Sequence, residues 1–176
     1  IDVSLVGSEM CIRDSLLGSK SGLTLNPEYK ENGMRCHISG QVNPNLDVID
    51  RKMLRFMSET SAYAFLSTEE ALADSGLGIE DINNDTTGVI VGSGTGSSRE
   101  LKNVVDTARE KGIKRVGPYA VTRTMGNTTS AAISTFFQTK GVSFSIASAC
   151  STSLHCISYA FDPVSYTHLR AHETNV

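Results

Sequence analysis

Two short apolar runs constrain the fold of this 176-residue chain more than any other feature. The run TTGVIVGSG (86–94) is rich in β-branched residues and ends in glycines. The run VSFSIASA (142–149) alternates apolar and small side chains. Both have the length of a strand, and the first has the composition of a buried parallel strand. A helical pattern follows each run, near 98–111 and from about Cys150.

The longest helical pattern covers 51–76, where Gly76 is a suitable C-terminal stop. Five residues recur there at helical spacing: Met53, Met57, Ala64, Thr68 and Ala71. A further helix is predicted over 126–141, with Asn127 or Thr128 as its cap and Gly141 as its stop. Helices that alternate with strands in this order predict a layered α/β fold.

Composition excludes several classes of protein. The net charge of −3 argues against a nucleic-acid binder, which needs a basic excess to neutralise phosphates. No apolar run approaches the roughly 18 residues of a membrane span. The four cysteines, at 11, 36, 150 and 156, have neither zinc-site spacing nor the density of a disulfide framework. We therefore expect a reduced, soluble, cytoplasmic protein.

Residues 1–14 and 162–176 match no element and resemble peptides read from sequencing adapters. We expect both ends to be non-native and the domain to occupy 15–161. The start lacks the regions of a signal peptide. The second end holds His168, His172 and Glu173, but their order does not match the HExxH zinc motif, so no metal site is expected.

The loop GSGTGSS (92–98) is rich in glycine but departs from both phosphate-binding patterns. Ser97 stands where GxGxxG requires its third glycine, and no Lys-Ser/Thr pair follows. We expect Gly92, Gly94 and Gly96 to permit a tight turn and a close approach of backbones. A nucleotide-binding α/β domain remains an alternative.

The segment SIASACSTSLHC (145–156) places Cys150 in the first turn of the last helix. Exposed N–H groups and the helix dipole stabilise a thiolate there, and the turn offers donors to an oxyanion. A buried, inert cysteine explains the spacing equally well, as it does for Cys156, which is expected in the core. His155 should point away from Cys150, and His37 has no partner nearby, so no local Cys–His pair is expected.

Four segments together resemble the N-terminal half of the type I beta-ketoacyl-[acyl carrier protein] synthases, which elongate bacterial fatty acids. They are IDRKMLRFMSETSAYAFLS (49–67), VIVGSGTGS (89–97), VGPYAVTRTM (116–125) and SIASACSTSLHC (145–156). The resemblance implies the N-terminal half of a thiolase-like fold with a mixed, largely parallel sheet. It also implies a homodimer with no cofactor of its own, because acyl chains arrive on the phosphopantetheine of acyl carrier protein.

The resemblance also implies site residues. Cys150 would accept the acyl chain, its backbone N–H forming part of the oxyanion hole, before a decarboxylative Claisen condensation with malonyl carrier protein. Thr124 and Met125 would close the acyl pocket of the partner subunit, although core packing also explains Met125. The basic residues that would receive the acidic carrier protein, or form an ordinary solvated surface, are Lys52, Arg55, Lys111 and Lys114.

The family's two catalytic histidines, its lysine and the glycine-rich segment that completes the oxyanion hole have no match in this sequence. We therefore expect a truncated, inactive fragment with an apolar face left bare. The alternative is a catalytically silent dimerisation or carrier-protein-binding module in which Cys150 merely packs.

Overall fold

A computed structural model describes residues 14–167 of the chain, and side chains as far as residue 162. The chain divides into two units, with the boundary after Leu46. In the first unit, strand β1 (Leu23–Leu25), helix α1 (Pro27–Glu31) and strand β2 (Ile38–Gly40) follow one another. The two strands pair antiparallel, with Leu25 opposite Ile38.

The second unit contains the two predicted strands. Its elements are α2 (Arg51–Leu54), α3 (Glu59–Ser75), α4 (Ile79–Ile82), β3 (Val89–Gly92), α5 (Ser98–Lys111), α6 (Ala120–Thr124), α7 (Thr128–Phe136), β4 (Ser143–Ile146) and α8 (Thr152–Thr167). Three 3₁₀ turns occupy Leu46–Val48, Ile113–Arg115 and Ala149–Ser151. Strands β3 and β4 pair in parallel, with Gly92 opposite Ile146. Since three helices connect the two strands, the second unit has the alternation expected of an α/β fold.

The prediction of one helix over 51–76 is wrong. Helix α2 ends at Leu54, and α3 begins at Glu59. Ser58 is the N-cap of α3, because its Oγ accepts a hydrogen bond from the backbone N–H of Ser61 at 3.3 Å. This cap begins a new helix and so separates α3 from α2. The predicted stop is confirmed, since Gly76 has φ 70°.

The helix predicted over 126–141 is shorter than expected. It ends at Phe136, and Gln138 turns the chain with φ 55°. Asn127 precedes the helix without a capping side-chain bond, and Thr128 Oγ1 donates instead to the carbonyl of Thr122. Gly141 is not the stop, because the helix has already ended at Phe136. A Cβ at Gly141 would lie 2.6 Å from the Thr87 carbonyl of the neighbouring segment.

The core lies between α3 and α7. The ring of Phe65 stacks on Phe137 at 5.1 Å between centroids. Ala62 and Ile133 are also buried there. The buried apolar side chains of the described residues are Ile49, Met57, Ala62, Phe65, Ile82, Ala132, Ile133 and Phe137. Helix α7 also contacts both β3 and β4.

The buried face of α3 differs from the one inferred from spacing. Ala71, expected on that face, is exposed, whereas Ser61 is fully buried. Ser61 Oγ lies 3.1 Å from Ser58 Oγ and 3.5 Å from Thr129 Oγ1. A hydroxyl with such partners can be buried in a core. The spacing of residues in the sequence therefore indicated the wrong face of α3.

Helix α8 packs against β3 and β4, and the ring of Tyr159 meets Phe144 edge-on at 6.3 Å. It continues to Thr167, past residue 161, where the sequence predicted no further element. Within residues 14–167, no helix has the length and apolar character needed to cross a membrane.

Candidate active site

Cys150 lies in the turn that joins β4 to α8. The 3₁₀ turn Ala149–Ser151 follows the strand, and α8 begins at Thr152. Cys150 is exposed, as an accessible nucleophile must be. The predicted position at a strand-to-helix junction is therefore confirmed, and the buried-cysteine alternative does not describe Cys150 within this chain.

The residue before the cysteine has an unusual backbone. Ala149 has φ 50°, a left-handed conformation that alanine rarely adopts. Two hydrogen bonds of Thr152 hold it there, because Thr152 Oγ1 accepts from the N–H of Ser148 at 2.9 Å and donates to the carbonyl of Ala149 at 2.8 Å. Ser151 Oγ donates to the carbonyl of Ser148 at 2.7 Å. Strain held by several surrounding contacts is typical of functional sites.

Thr152 and Ser148 are not among the site residues predicted from the sequence. Thr152 is buried, with 5% of its surface exposed, because its side chain turns toward the preceding turn and toward Gly92 of β3. Hydroxyl residues four positions apart at the start of a helix were the available signal, since such side chains bond local backbone groups.

The glycine loop (92–98) packs against the turn around Cys150 (148–151), called here the cysteine turn. A Cβ on Gly92 would lie 2.0 Å from the Ile146 carbonyl oxygen, and one on Gly94 would lie 2.9 Å from the Ala149 carbonyl oxygen. Gly96 adopts φ 63°. The predicted close approach of backbones is confirmed. Because protein backbone faces Gly92 and Gly94, they do not form an open cradle for a phosphate.

The other cysteines differ from Cys150 in their surroundings. Cys156 is half-buried in α8, and burial raises the pKa of its thiol. Cys36 is exposed and belongs to the first unit. Cys11 lies outside the described residues. The expected core position of Cys156 is therefore only partly realised, but its thiol is less readily ionised than that of an ordinary cysteine.

Two of the four histidines, His37 and His155, lie within the described residues. His155 Nδ1 lies 2.7 Å from Ser148 Oγ, a hydrogen bond within the cysteine turn. His37 belongs to the first unit. His168 and His172 lie outside the described residues. Among residues that the structure does describe, no group of three or more histidine, cysteine or acidic side chains could hold a metal ion.

The basic residues singled out in the sequence are all exposed: Lys52, Arg55, Lys111 and Lys114. An aromatic contact connects the two segments that carry them. Phe56, next to Arg55, meets Tyr119 edge-on at 4.9 Å between ring centroids. Tyr119 follows the 3₁₀ turn that contains Lys114. This contact places the two basic clusters, which are distant in sequence, in the same part of the second unit.

Thr124 and Met125 lie at the end of α6. Thr124 Oγ1 donates to the Ala120 carbonyl at 2.8 Å, so its side chain turns back onto its own helix. Met125 is 45% exposed. Core packing within this chain therefore does not account for Met125.

A cavity of about 180 Å³ lies elsewhere, between α5 and α6. Its walls include Glu100, Tyr119 and Arg123, and a 2.6 Å ion pair joins Arg123 to the buried Glu100. None of its lining residues belongs to the cysteine turn. The ion pair fastens α6 to α5, and the buried Nε of Arg123 has no hydrogen-bond partner.

Comparison with known proteins identifies a family and close relatives. Residues 12–169 match the family described as beta-ketoacyl synthase, N-terminal domain. The 3-oxoacyl-[acyl-carrier-protein] synthase 1 of Haemophilus influenzae is 44% identical over 151 residues, which cover 84% of this chain and 37% of the relative. The protein of the same name from Escherichia coli K12 is 45% identical over 166 residues, which cover 92% and 41%. The chain thus spans about two fifths of the length of these relatives.

Solved structures show the same fold. A beta-ketoacyl synthase from Burkholderia phymatum matches with a TM-score of 0.76 at 23% identity, over 89% of this chain and 39% of that one. The ishigamide ketosynthase/chain length factor matches with a TM-score of 0.78 at 18% identity, over 89% and 40%. A type II PKS ketosynthase, solved with its acyl-carrier protein, matches with a TM-score of 0.62 at 22% identity, over 71% and 36%.

Proposed function

The chain belongs to the beta-ketoacyl synthase family of acyltransferases, and we propose that it carries the nucleophile of a fatty-acid-elongating 3-oxoacyl-[acyl-carrier-protein] synthase. One observation supports this most directly. Cys150 is exposed on a turn whose left-handed Ala149 is held by surrounding hydrogen bonds at a strand-to-helix junction. A packing cysteine needs no such turn.

In the proposed reaction, the Cys150 thiolate attacks the carbonyl carbon of an acyl thioester on acyl carrier protein. The new S–C bond forms as the bond to the carrier's phosphopantetheine sulfur breaks, and that sulfur leaves as a thiol after taking up a proton. Backbone N–H groups of the turn, including that of Cys150, stabilise the negative carbonyl oxygen. The carbanion that malonyl carrier protein forms on losing carbon dioxide then attacks the acyl carbon. A C–C bond forms as the bond to Cys150 Sγ breaks, and Cys150 leaves as its thiolate.

The first prediction concerns the reactivity of the cysteines. We expect limiting iodoacetamide at neutral pH to label Cys150 several-fold faster than Cys36 and faster still than Cys156. The raised pKa of Cys156 leaves less thiolate at a given pH, so its labelling should increase only as the pH is raised. Peptide mass spectrometry over a time course measures all three rates in one sample.

Controls separate the nucleophile from the catalytically silent alternative. Cerulenin, which alkylates the nucleophile of this family, should add once to the wild-type chain and to Cys156→Ala, but not to Cys150→Ala. Equal labelling of Cys150 and Cys156, or cerulenin adduct on Cys150→Ala, would contradict the proposed role and favour a module in which the cysteine only packs.

We further propose that the basic residues receive acyl carrier protein. Lys52, Arg55, Lys111 and Lys114 are exposed, and the Phe56–Tyr119 contact ties their two segments together. A structural neighbour is itself a ketosynthase solved with its acyl-carrier protein. Clustered positive charge steers an acidic partner and sets its orientation.

The second prediction tests this surface by its dependence on charge. We expect the affinity for acyl carrier protein to fall as salt rises, because a Debye length near 8–10 Å screens exposed charges. Changing Lys52 and Arg55 together to glutamate should weaken binding by at least about tenfold in low salt. Isothermal titration or fluorescence anisotropy measures both effects.

The matched control is Lys140→Glu, which reverses an exposed charge in the segment between α7 and β4. It should bind as the wild type does. Binding that is independent of salt, or equal loss in Lys140→Glu and in the double variant, would leave these residues as an ordinary solvated surface.

The proposal also includes the oligomeric state, the cofactor and the cellular location. We place Thr124 and the exposed Met125 at a homodimer interface, where they close the partner's acyl pocket. The enzyme would need no cofactor beyond the phosphopantetheine that its carrier brings. The free thiols of Cys36, Cys150 and Cys156 suit the reducing cytoplasm.

A further inference from the structure

Ser148 is the most heavily bonded residue of the cysteine turn. Its N–H donates to Thr152 Oγ1 at 2.9 Å. Its carbonyl accepts from the N–H of Ser151 at 3.2 Å and from Ser151 Oγ at 2.7 Å. Its Oγ lies 2.7 Å from His155 Nδ1. Every polar group of Ser148 is thereby bonded either to Ser151 of the 3₁₀ turn or to α8.

The bond to His155 differs from the others because it reaches furthest along the helix. Ser151 is the last residue of the 3₁₀ turn and Thr152 is the first residue of α8, whereas His155 lies three residues further along the helix. Ser148 directly precedes Ala149, whose left-handed backbone sets the direction in which the next side chain leaves the turn. A disfavoured conformation persists only where its surroundings over-determine it.

We propose that His155 is a positioning residue for Cys150. Its ring anchors Ser148 to α8, and the anchored Ser148 keeps Ala149 left-handed, so that the Cys150 thiol stays at the start of the helix. This inference rests on the proposed function of Cys150. In this arrangement the His155 Nδ1 is engaged by the turn itself and is not open to a substrate.

The prediction is that loss of this bond makes Cys150 less reactive. In the 176-residue chain, His155→Phe and Ser148→Ala should each slow alkylation of Cys150 by iodoacetamide about fivefold, since thiol reactivity depends on local environment. Their combination should slow it no further, because both changes remove one bond. His155→Asn, whose amide can still bond Ser148, should recover much of the wild-type rate.

Two other cysteines distinguish positioning from general damage. Cys156, next to His155 in α8, should label at its wild-type rate if the helix stays intact. Fraying of the helix would instead expose Cys156 and accelerate its labelling. Cys36, in the first unit, reports on reagent and conditions. A His155→Phe chain that labels Cys150 at the wild-type rate, or shows faster labelling of Cys156, would overturn the positioning role, as would additive effects of the two changes.

These outcomes remain separable from failure of the proposed function. If wild-type Cys150 reacts no faster than Cys36, the nucleophile itself is wrong, whatever the variants show. If Cys150 reacts faster and the His155 and Ser148 variants leave its rate unchanged, only the positioning role fails.

Discussion

Replacing Gly92 with alanine is expected to lower the free energy of unfolding by at least about 3 kcal/mol, at the upper end for overpacking. The added Cβ would lie 2.0 Å from the Ile146 carbonyl oxygen and 2.7 Å from Thr152 Cγ2. The carbonyl belongs to the strand paired with β3, so relief requires the two strands to separate or shift. The same movement would push on Thr152, which holds the cysteine turn.

Urea denaturation followed by circular dichroism measures this effect. The matched control is Gly126→Ala, because a Cβ there would meet nothing within 4 Å. We expect that variant to remain within about 1 kcal/mol of the wild type. Similar unfolding midpoints for both variants would show that the close approach of β3 to β4 is not a determinant of stability.

The second large effect concerns the exposed face of α8. Leu154, Ile157 and Phe161 are 67%, 68% and 66% exposed, and their spacing places them along one side of the helix. Full burial of such side chains contributes about 1.5–3 kcal/mol each. We therefore expect the chain alone to associate into dimers or larger species, as size-exclusion chromatography with light scattering would show.

A polar version of this face tests the cause. Changing Leu154, Ile157 and Phe161 together to glutamine should shift the chain toward monomer. Ile113→Gln removes a side chain that is 77% exposed on a 3₁₀ turn away from α8, and it should leave association unchanged. Equal association of the wild type and the triple variant would assign the effect to another surface.

We also expect no 3-ketoacyl product when this chain meets acyl and malonyl carrier proteins. Donors aimed at the developing negative charge contribute on the order of 3 kcal/mol each. The resemblance assigns them to two histidines with no match in this sequence, and His155 is bonded to Ser148. A monodisperse chain that turned over both substrates would contradict this expectation together with the expected association.

The sequence by itself determined the elements whose pattern is local. Helix α5 was predicted within its observed bounds, and β3 and β4 lie inside the two apolar runs. Gly76 was recognised as a stop because only its own backbone conformation matters. The position of Cys150 followed from the change of periodicity from strand to helix, and four motifs sufficed to identify the family.

Only the tertiary structure decided how the hydroxyl and histidine side chains are used. Ser61 is fully buried because Thr129, 68 residues away in sequence, lies within hydrogen-bond reach. The Ser148–His155 bond likewise depends on which partner a polar group finds in space. Periodicity records which side of an element is apolar, but a hydrogen bond depends on distance and angle between groups that folding brings together. For that reason the proposed nucleophile was visible in the sequence, and the contacts proposed to orient it were not.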